Sequence, residues 1–205
     1  MINSGRRLIG AVSVVCALAA AGLLAPSISD AQANVVSPTH SGVLKACHPS
    51  ALSQPFTRWW DFSHYELAPG GGFEKSRWTL TGGAKLVAGS EPYAATGTHG
   101  SSSLSLPRGS SAQSPPTCVA ATYPSIRFFI AGKGLVAVSL TDGRLVIPAG
   151  VAVAGSKWAP TPVMLTLSPV LAVLSGGTAR VSVRFTGLSG SPRIDDVFID
   201  PWGHG

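Results

Sequence analysis

Short apolar stretches, separated by glycine and proline, follow one another along most of this 205-residue chain. Sixteen prolines and 24 glycines interrupt them, so no helical periodicity is sustained. The clearest alternation lies in residues 180–185, where valine and phenylalanine alternate with arginine and serine. A period of two places the apolar side chains on one face of a strand and the polar ones on the other. The pattern predicts an all-β fold, a two-sheet antiparallel β-sandwich.

The turn residues divide the chain into candidate strands. Asp142-Gly143 predicts a two-residue type I′ turn between two of them, since both of its central residues need positive φ. Gly176-Gly177 predicts a comparable turn later in the chain. The predicted strands are Trp78–Thr81, Lys85–Ala88, Ser103–Leu106, Thr117–Thr122, Ser125–Ala131, Leu135–Leu140, Arg144–Ile147, Val163–Leu167, Val170–Leu174, Thr178–Phe185 and Arg193–Asp200.

The last predicted strand, Arg193–Asp200, carries acids on both of its faces. Strict alternation puts Asp195 on the face of Val197 and Asp196 on the face of Ile194. A carboxylate among core side chains must be paired, hydrogen-bonded or bound to a cation, because a bare buried charge is very costly. We therefore expect these two acids to have specific partners.

Residues 1–33 have the pattern of an export signal. Arg6 and Arg7 precede the apolar run Leu8–Leu24, and Ala31-Gln32-Ala33 supplies a cleavage site. We predict that residues 1–33 are a signal peptide, that residues 34–53 are a flexible leader, and that residues 54–205 form one β-sandwich domain. The protein is then secreted, with no membrane span in the mature chain, and we predict a monomer.

The net charge of +6 comes from basic residues that are dispersed along the chain. Dispersal excludes the clustered basic patch of a nucleic-acid-binding protein. A mild basic excess favours weak attraction to an anionic cell-wall polymer.

Two cysteines, Cys47 and Cys118, lie in the predicted mature chain. An even number of cysteines in an exported protein predicts one disulfide between them. A two-cysteine metal site is the alternative, but neither cysteine has a second ligand at the usual spacing.

Two motifs bracket the predicted sandwich. Gly71-Gly72-Phe73-Glu74 followed by Trp78 stands near its start, and Arg-Ile-Asp-Asp-Val-Phe-Ile-Asp closes it. Together they resemble the galactose-binding-like jelly roll of many secreted carbohydrate-binding modules. The resemblance implies a jelly-roll sandwich and, as the default partner, a glycan or cell-wall polymer.

The resemblance also implies a structural Ca²⁺, because the turn motif and the terminal acids lie together in several such modules. Here the ligands would be Glu74 with Asp195 or Asp196, and Ca²⁺ takes oxygen ligands of this kind. The alternative is that Glu74 caps a turn while an aspartate pairs with an arginine such as Arg77 or Arg127. The sequence leaves both readings open.

Aromatic and basic side chains are the other candidates for ligand contact. Tyr93 and Trp158 lie on predicted loops, and we predict that they contact a ligand. Arg180 and Arg184 lie on the outward row of a predicted strand and are predicted to line a polar groove. Ordinary packing is the alternative for the two aromatics, and a solvated strand face is the alternative for the two arginines.

The remaining tryptophans are assigned to the scaffold. Trp78 opens a strand and is predicted in the core. Trp59 and Trp60 precede the first predicted strand and are predicted to form a buried plug, with a ligand platform as the alternative. Trp202 is predicted to clamp the end of the sandwich.

No motif for catalysis is present in the sequence. Residues 187–191, Gly-Leu-Ser-Gly-Ser, lack the final glycine of a nucleophile elbow, and the histidines lack metal-ligand spacing. Glycoside hydrolysis needs two opposed carboxylates, for which the sequence offers no context. We predict a non-catalytic binding protein. The alternatives are an envelope structural or protein-interaction module without a small ligand and a secreted hydrolase.

Overall fold

The strands form two antiparallel sheets that pack face to face, as the alternation predicts. The computed structural model describes residues 51–120, 124–166 and 178–200. A short 3-10 helix, Thr57–Trp59, precedes the second strand. The strands are β1 (Leu52–Ser53), β2 (Tyr65–Leu67), β3 (Thr79–Thr81), β4 (Lys85–Ala88), β5 (Ser102–Ser105), β6 (Ser111–Gln113), β7 (Thr117–Ala120), β8 (Ser125–Ala131), β9 (Gly134–Thr141), β10 (Val146–Ala154), β11 (Ala159–Pro160), β12 (Met164–Leu165), β13 (Thr178–Gly190) and β14 (Arg193–Asp200).

The first sheet has eight strands and the second has six. In the first sheet the order is β1-β2-β14-β5-β4, with β8 along the other edge of β14 and with β11 and β12 on β8. In the second sheet the order is β10-β9-β13-β6-β3, with β7 also on β13. The predicted all-β, two-sheet antiparallel sandwich is confirmed.

The main core lies between the two sheets. Phe185 of β13 is fully buried there, stacked on Trp78 at 5.5 Å and tilted against Phe128 at 4.9 Å between ring centroids. The prediction that Trp78 belongs to the core is confirmed. Burial of such rings is the main source of stability in a sandwich that has no α-helix among its described residues.

A second apolar cluster covers the outer face of the first sheet. It contains the buried side chains of Phe56, Tyr65, Phe129 and Phe198. All seven residues of β8 are buried, because the core covers one face of that strand and the N-terminal segment covers the other. Strand β8 therefore lies between two apolar layers.

One ion pair ties the N-terminal segment to β8. Arg127 donates to the carboxylate of Asp61, and both side chains are nearly buried. Asp61 also accepts hydrogen bonds from the Tyr65 hydroxyl at 2.8 Å and the Ser63 amide at 3.1 Å. Arg127 thus pairs with an acid of the N-terminal segment, whereas the sequence analysis considered it as a partner for Asp195 or Asp196.

The prediction that Trp59 and Trp60 form a buried plug is wrong for Trp60. Trp59 is half-buried and packs on Phe129, with ring centroids 5.4 Å apart. Trp60 is 86% exposed. The reason is local: the backbone turns at the end of the 3-10 helix, so consecutive side chains point in opposite directions.

The predicted two-residue turn at Asp142-Gly143 is also wrong. Thr141 pairs with Val146, so the loop between β9 and β10 spans residues 142–145. The Asp142 carboxylate accepts hydrogen bonds from the amides of Arg144 and Leu145, each at 2.8 Å. These bonds close a wider loop than the dipeptide alone predicts.

Most predicted strands of the described residues are present within one or two residues of their predicted ends. Strands β10 and β13 extend further, and the short strands β1, β2, β6 and β11 were missed because two or three residues carry no alternation. Strand β1 begins two residues before the predicted start of the sandwich at residue 54. No described helix has the length and hydropathy needed to span a membrane.

Several predictions fall outside the described residues. Cys118 lies on β7, but Cys47 is outside them, so the pairing of the two cysteines stays a prediction. The signal peptide of residues 1–33, the strand Val170–Leu174, the turn Gly176-Gly177 and Trp202 are outside them as well.

The Asp61–Arg127 pair predicts an acid-dependent loss of stability. Burial alone would raise the pKa of Asp61, but the hydrogen bonds from Tyr65, Ser63 and Arg127 outweigh it, and the pKa is lowered. A lowered folded-state pKa contributes stability above the unfolded pKa, and this contribution is lost as the pH falls below about 4. The Asp61→Asn variant should lose roughly 3 kcal/mol at pH 7, because Arg127 is left without its charge partner.

Chemical denaturation of both proteins between pH 7 and pH 2.5 measures this. The difference between wild type and Asp61→Asn should shrink as the pH falls. Asp142→Asn, at an exposed loop, should behave like wild type at pH 7. A constant difference across the range contradicts the role given to the ion pair.

Candidate functional site

A β-bulge interrupts the last strand of the first sheet. Between the paired residues Asp195 and Phe198, Asp196 and Val197 together oppose the single residue Phe128 of β8. Asp196 has a φ of 43°, a left-handed conformation that aspartate adopts more readily than most residues. The bulge changes the directions in which the consecutive carboxylates of Asp195 and Asp196 point.

The bulge changes the faces predicted for this strand. Ile194 lies in the main core together with Val197 and Ile199. Strict alternation placed Ile194 opposite to Val197, and this prediction is wrong because the extra residue of the bulge shifts the parity. Asp195 is consequently on the face that meets the loop between β4 and β5.

The bulge also lies in a gap between two neighbouring strands. One edge of β14 pairs with β5 as far as Ile194 and with β2 from Phe198 onward. Between these residues the edge is free of strands, and a turn at residues 68–75 and a loop at residues 89–101 fill the space. Asp195 and Asp196 project into this gap.

Three buried carboxylates meet there: Glu91, Asp195 and Asp196, exposed by 2%, 0% and 4%. Asp195 accepts hydrogen bonds from the Ser90 hydroxyl at 2.6 Å and from the amides of Glu91 and Asp196, both at 2.9 Å. Its oxygens are thereby used to hold the loop against the bulge. Asp195 is a positioning group for Asp196.

Glu91 organises the loop that follows it. Its carboxylate accepts hydrogen bonds from the amides of Tyr93 and Ala95, the latter at 2.9 Å. Ala94, between them, has a φ of 54°. The loop then returns to Asp196, which accepts a hydrogen bond from the backbone of Thr96.

The charges in this cluster are uncompensated by any basic group. Burial raises the pKa of Asp195 to about 6. Burial, with the neighbouring carboxylates of Asp195 and Glu91, raises the pKa of Asp196 to about 8. No lysine, arginine or histidine of the described residues hydrogen-bonds to these three acids. The Glu91 carboxyl group raises the pKa of Asp196 through its charge and through hydrogen bonding, and protonation or a bound cation would relieve the repulsion between the two acids.

Asp196 opens into a cleft of about 390 Å³ between the turn and the loop. Its walls combine hydroxyl, imidazole, amine and carboxylate groups with one apolar side. The lining residues are Leu67, Gly70, Gly72, Phe73, Glu74, Lys75, Thr96, Thr98, His99, Gly100, Ser101 and Asp196.

Glu74 joins the two walls of the cleft. Its carboxylate accepts hydrogen bonds from the Ser101 amide and hydroxyl, both at 2.6 Å, and from the Ser102 amide at 2.8 Å. The Ser101 hydroxyl is the main reason that the pKa of Glu74 is lowered. Glu74 thus caps the loop, which is the role that the sequence analysis gave as the alternative to metal ligation.

The glycines of the turn motif are required by close backbone approach. A Cβ on Gly71 would lie 2.8 Å from the carbonyl oxygen of Val197. The Gly71 carbonyl accepts from the Val197 amide at 3.1 Å, and the Ala68 amide donates to the Val197 carbonyl at 2.8 Å. The turn therefore docks directly on the bulge.

Backbone strain is concentrated around the same cleft. Four non-glycine residues of the described segments have positive φ, and Phe73, Ala94 and Asp196 are three of them. Each such conformation costs on the order of 1–3 kcal/mol and clusters at functional sites in proteins. Strain, buried charge and a cleft thus coincide.

The structure separates the other predicted ligand residues from this cleft. Tyr93 and Trp158 lie together on the outer cluster, half-buried, with the Tyr93 hydroxyl donating to the Trp158 carbonyl at 2.8 Å. Arg180 and Arg184 lie on β13 of the second sheet, the first exposed and the second half-buried.

The structure adds Glu91, which the sequence analysis did not place at this site. Of the predicted calcium ligands, Glu74 and Asp196 line the cleft, whereas Asp195 is engaged by the loop. No three histidine, cysteine, aspartate or glutamate side chains of the described residues converge closely enough to hold a metal ion by themselves. No motif marks Glu91, because its role depends on the position of the bulge.

Solved carbohydrate-binding modules are among the structures similar to this chain. The family 6 module of a laminarinase from Zobellia galactanivorans has a TM-score of 0.45 and 12% identity, covering 65% of this chain and 96% of its own. A family 61 module solved with β-1,4-galactotriose has a TM-score of 0.40 and 20% identity, covering 63% of this chain and 94% of its own. The family 22 xylan-binding domain from Paenibacillus barcinonensis has a TM-score of 0.40 and 13% identity, covering 66% of this chain and 94% of its own. No family model matches the sequence, and no curated protein matches it significantly.

The close approach of the turn to the bulge predicts the effect of one methyl group. Gly71→Ala should destabilise the protein by roughly 1–3 kcal/mol, since a backbone carbonyl cannot yield without moving β14. Thermal or urea denaturation measures this. Gly155→Ala is the control, because the nearest atom to its Cβ is 4.0 Å away. Equal stability of the two variants contradicts the packing argument.

Proposed function

We propose that this protein is a secreted, non-catalytic binding protein that takes a glycan, or the end of a cell-wall polymer, in the cleft beside Asp196. The observation that supports this most is the coincidence in one cleft of two residues with strained backbone, Phe73 and Asp196, and a buried carboxyl group without a basic partner. A purely structural domain needs neither strained backbone nor an unpaired buried carboxyl group. Both features lower the stability of the fold, and a ligand-binding role accounts for their presence.

The chemistry of the cleft favours a hydroxyl-rich ligand. Thr98 and Ser101 carry hydroxyls that donate and accept, His99 can do either, and Leu67 with Phe73 forms an apolar side. A pyranose ring has the matching character, with hydroxyls at its rim and C–H groups on its faces. The volume of about 390 Å³ falls in the range of small-molecule sites and suits one or two sugar units.

We further propose that the cleft holds a Ca²⁺ ion next to Asp196. Asp196 supplies a buried carboxylate at the cleft, with the Glu91 carboxylate behind it. Glu74 lies on the opposite wall with its oxygens held by Ser101 and Ser102. Hydroxyl and carbonyl oxygens of the cleft walls would supply the remaining ligands that Ca²⁺ requires. A cation there would neutralise the pair that otherwise needs a proton. In the bound protein it would tie the bulge to the loop.

Ligand binding in the cleft predicts a specific loss on removing one donor. The His99→Ala variant should bind oligosaccharides about three- to tenfold more weakly, the equivalent of one hydrogen bond to the ligand. Isothermal titration with β-1,4-galactotriose, xylohexaose and cellotetraose measures this. Lys133→Ala is the control, because Lys133 is also exposed but lies outside the cleft.

Affinity that is equal in these two variants would place the binding elsewhere on the sandwich. Absence of binding by the whole panel would favour the interaction module without a small ligand.

Calcium binding predicts a thermal shift that depends on Asp196. Saturating CaCl₂ should raise the Tm of the wild type by roughly 5–10 °C relative to chelator, from mass action on the folded state. Asp196→Asn should show no shift. In chelator the variant should be at least as stable as the wild type, because it removes a buried carboxyl group whose pKa is raised and because asparagine tolerates positive φ.

Differential scanning fluorimetry in both conditions measures this, with Asp142→Asn as the control that keeps the shift. A wild-type Tm that is the same with calcium and with chelator removes the ion from the proposal while leaving the ligand cleft in place.

A further inference from the structure

Two aromatic side chains of the N-terminal segment face solvent. Trp60 is 86% exposed and Phe62 is 59% exposed. Their ring centroids are 6.5 Å apart with an angle of 78° between the planes, so the two rings form an edge-to-face pair. A tryptophan exposed to this degree contributes little to folding.

The backbone of Trp60 is strained in order to present its ring. Trp60 ends the 3-10 helix with φ 60° and ψ 26°, a left-handed conformation that is unusual for a bulky residue. Its amide donates to the Thr57 carbonyl at 3.0 Å, which holds the turn. Among the described residues, Trp60 is the one non-glycine residue with positive φ that lies outside the turn, the loop and the bulge around the cleft.

The segment behind the two rings is firmly anchored. Asp61, between them in sequence, is held by Arg127 and by the Tyr65 hydroxyl. On the far side, the Gln54 side chain donates to the Phe62 carbonyl at 2.6 Å. The two rings are therefore fixed at their base, and a ligand would meet a preorganised surface.

The residues next to the ring pair in sequence are polar, and this determines the kind of ligand that the surface can bind. Thr57, Arg58 and His64 are exposed close to the pair in sequence, and Ser63 is half-buried. Arg58 lies over the rings of Trp59 and Tyr93 in the outer cluster. The result is two exposed rings in a polar surround.

We propose that Trp60 and Phe62 form a second glycan-binding platform, on which the apolar face of a pyranose ring stacks. The partly positive C–H groups of a sugar face meet the negative face of an aromatic ring, while the polar residues beside the pair reach the hydroxyls at the rim. A bilayer surface or a large protein interface needs a wider contiguous apolar patch than two rings. The platform is independent of the cleft, since neither ring lines it.

Because the backbone of Trp60 is strained, replacing this residue can remove the ring without lowering the stability of the protein. Asparagine adopts the left-handed conformation readily, so Trp60→Asn removes the ring and relieves the backbone. Its Tm should equal or exceed that of the wild type, while its affinity for the bound polysaccharide should fall roughly tenfold. Trp60→Phe, which keeps an aromatic face, should recover part of the affinity.

Affinity electrophoresis of the purified protein in gels containing a soluble β-glucan, xylan, galactan or polyuronate measures binding. Tryptophan fluorescence gives a second readout: the bound polysaccharide should shield Trp60 from acrylamide in the wild type. Leu165→Asn, at an exposed leucine remote in sequence, should leave binding unchanged. His99→Ala should also keep the Trp60 shielding, which distinguishes the platform from the cleft.

Four results would overturn the platform. They are a clear drop in the Tm of Trp60→Asn, shielding of Trp60 by anionic lipid vesicles in place of polysaccharides, shielding that follows self-association on gel filtration, and absence of shielding by all four polysaccharides.

Discussion

The pairing of β14 on both of its edges is the constraint on which the rest of the first sheet depends. Its edge toward β8 is paired throughout apart from the bulge, whereas its other edge passes from β5 to β2. The extra residue of the bulge falls at that change of partner. A turn and a loop must fill the gap, and each satisfies backbone groups of the strand or its acids. The glycines of the turn motif and the acids of the closing motif meet there because the strand leaves them that space.

The same gap concentrates free-energy costs that the core must offset. Three residues in left-handed conformations and three buried carboxylates lie within one small region. Hydrogen bonds from loop amides to Glu91 and Asp195 compensate part of the cost of burial. They leave Asp196 beside Glu91 with a shared negative charge. A folded protein tolerates such a region because two aromatic layers hold β8 and β14 from opposite sides.

The consecutive residues Trp59 and Trp60 have different environments because the backbone turns between them. Trp59 packs on Phe129 and Tyr93 in the outer cluster, whereas Trp60 is turned to solvent by a left-handed cap. The sequence predicts aromatic burial from residue type, and residue type is the same at both positions. Only the direction of the backbone distinguishes them, and that direction is set by the 3-10 helix and by the anchoring of Asp61 on Arg127.

The sequence by itself determined the sheet architecture, most strand positions and the core role of Trp78, because alternation and turn residues act locally. Its resemblance to carbohydrate-binding modules also implied that the turn motif and the terminal acids lie together. Only the tertiary structure decided that Glu91 joins Asp196, that Glu74 caps a loop and that Ile194 shares the face of Val197. The approach of Glu91 to Asp196 and the face of Ile194 depend on one inserted residue in β14, whose effect on the alternation is invisible in the sequence pattern. The partners of a buried charge are chosen by strands and loops distant in sequence, and so only the folded chain reveals them.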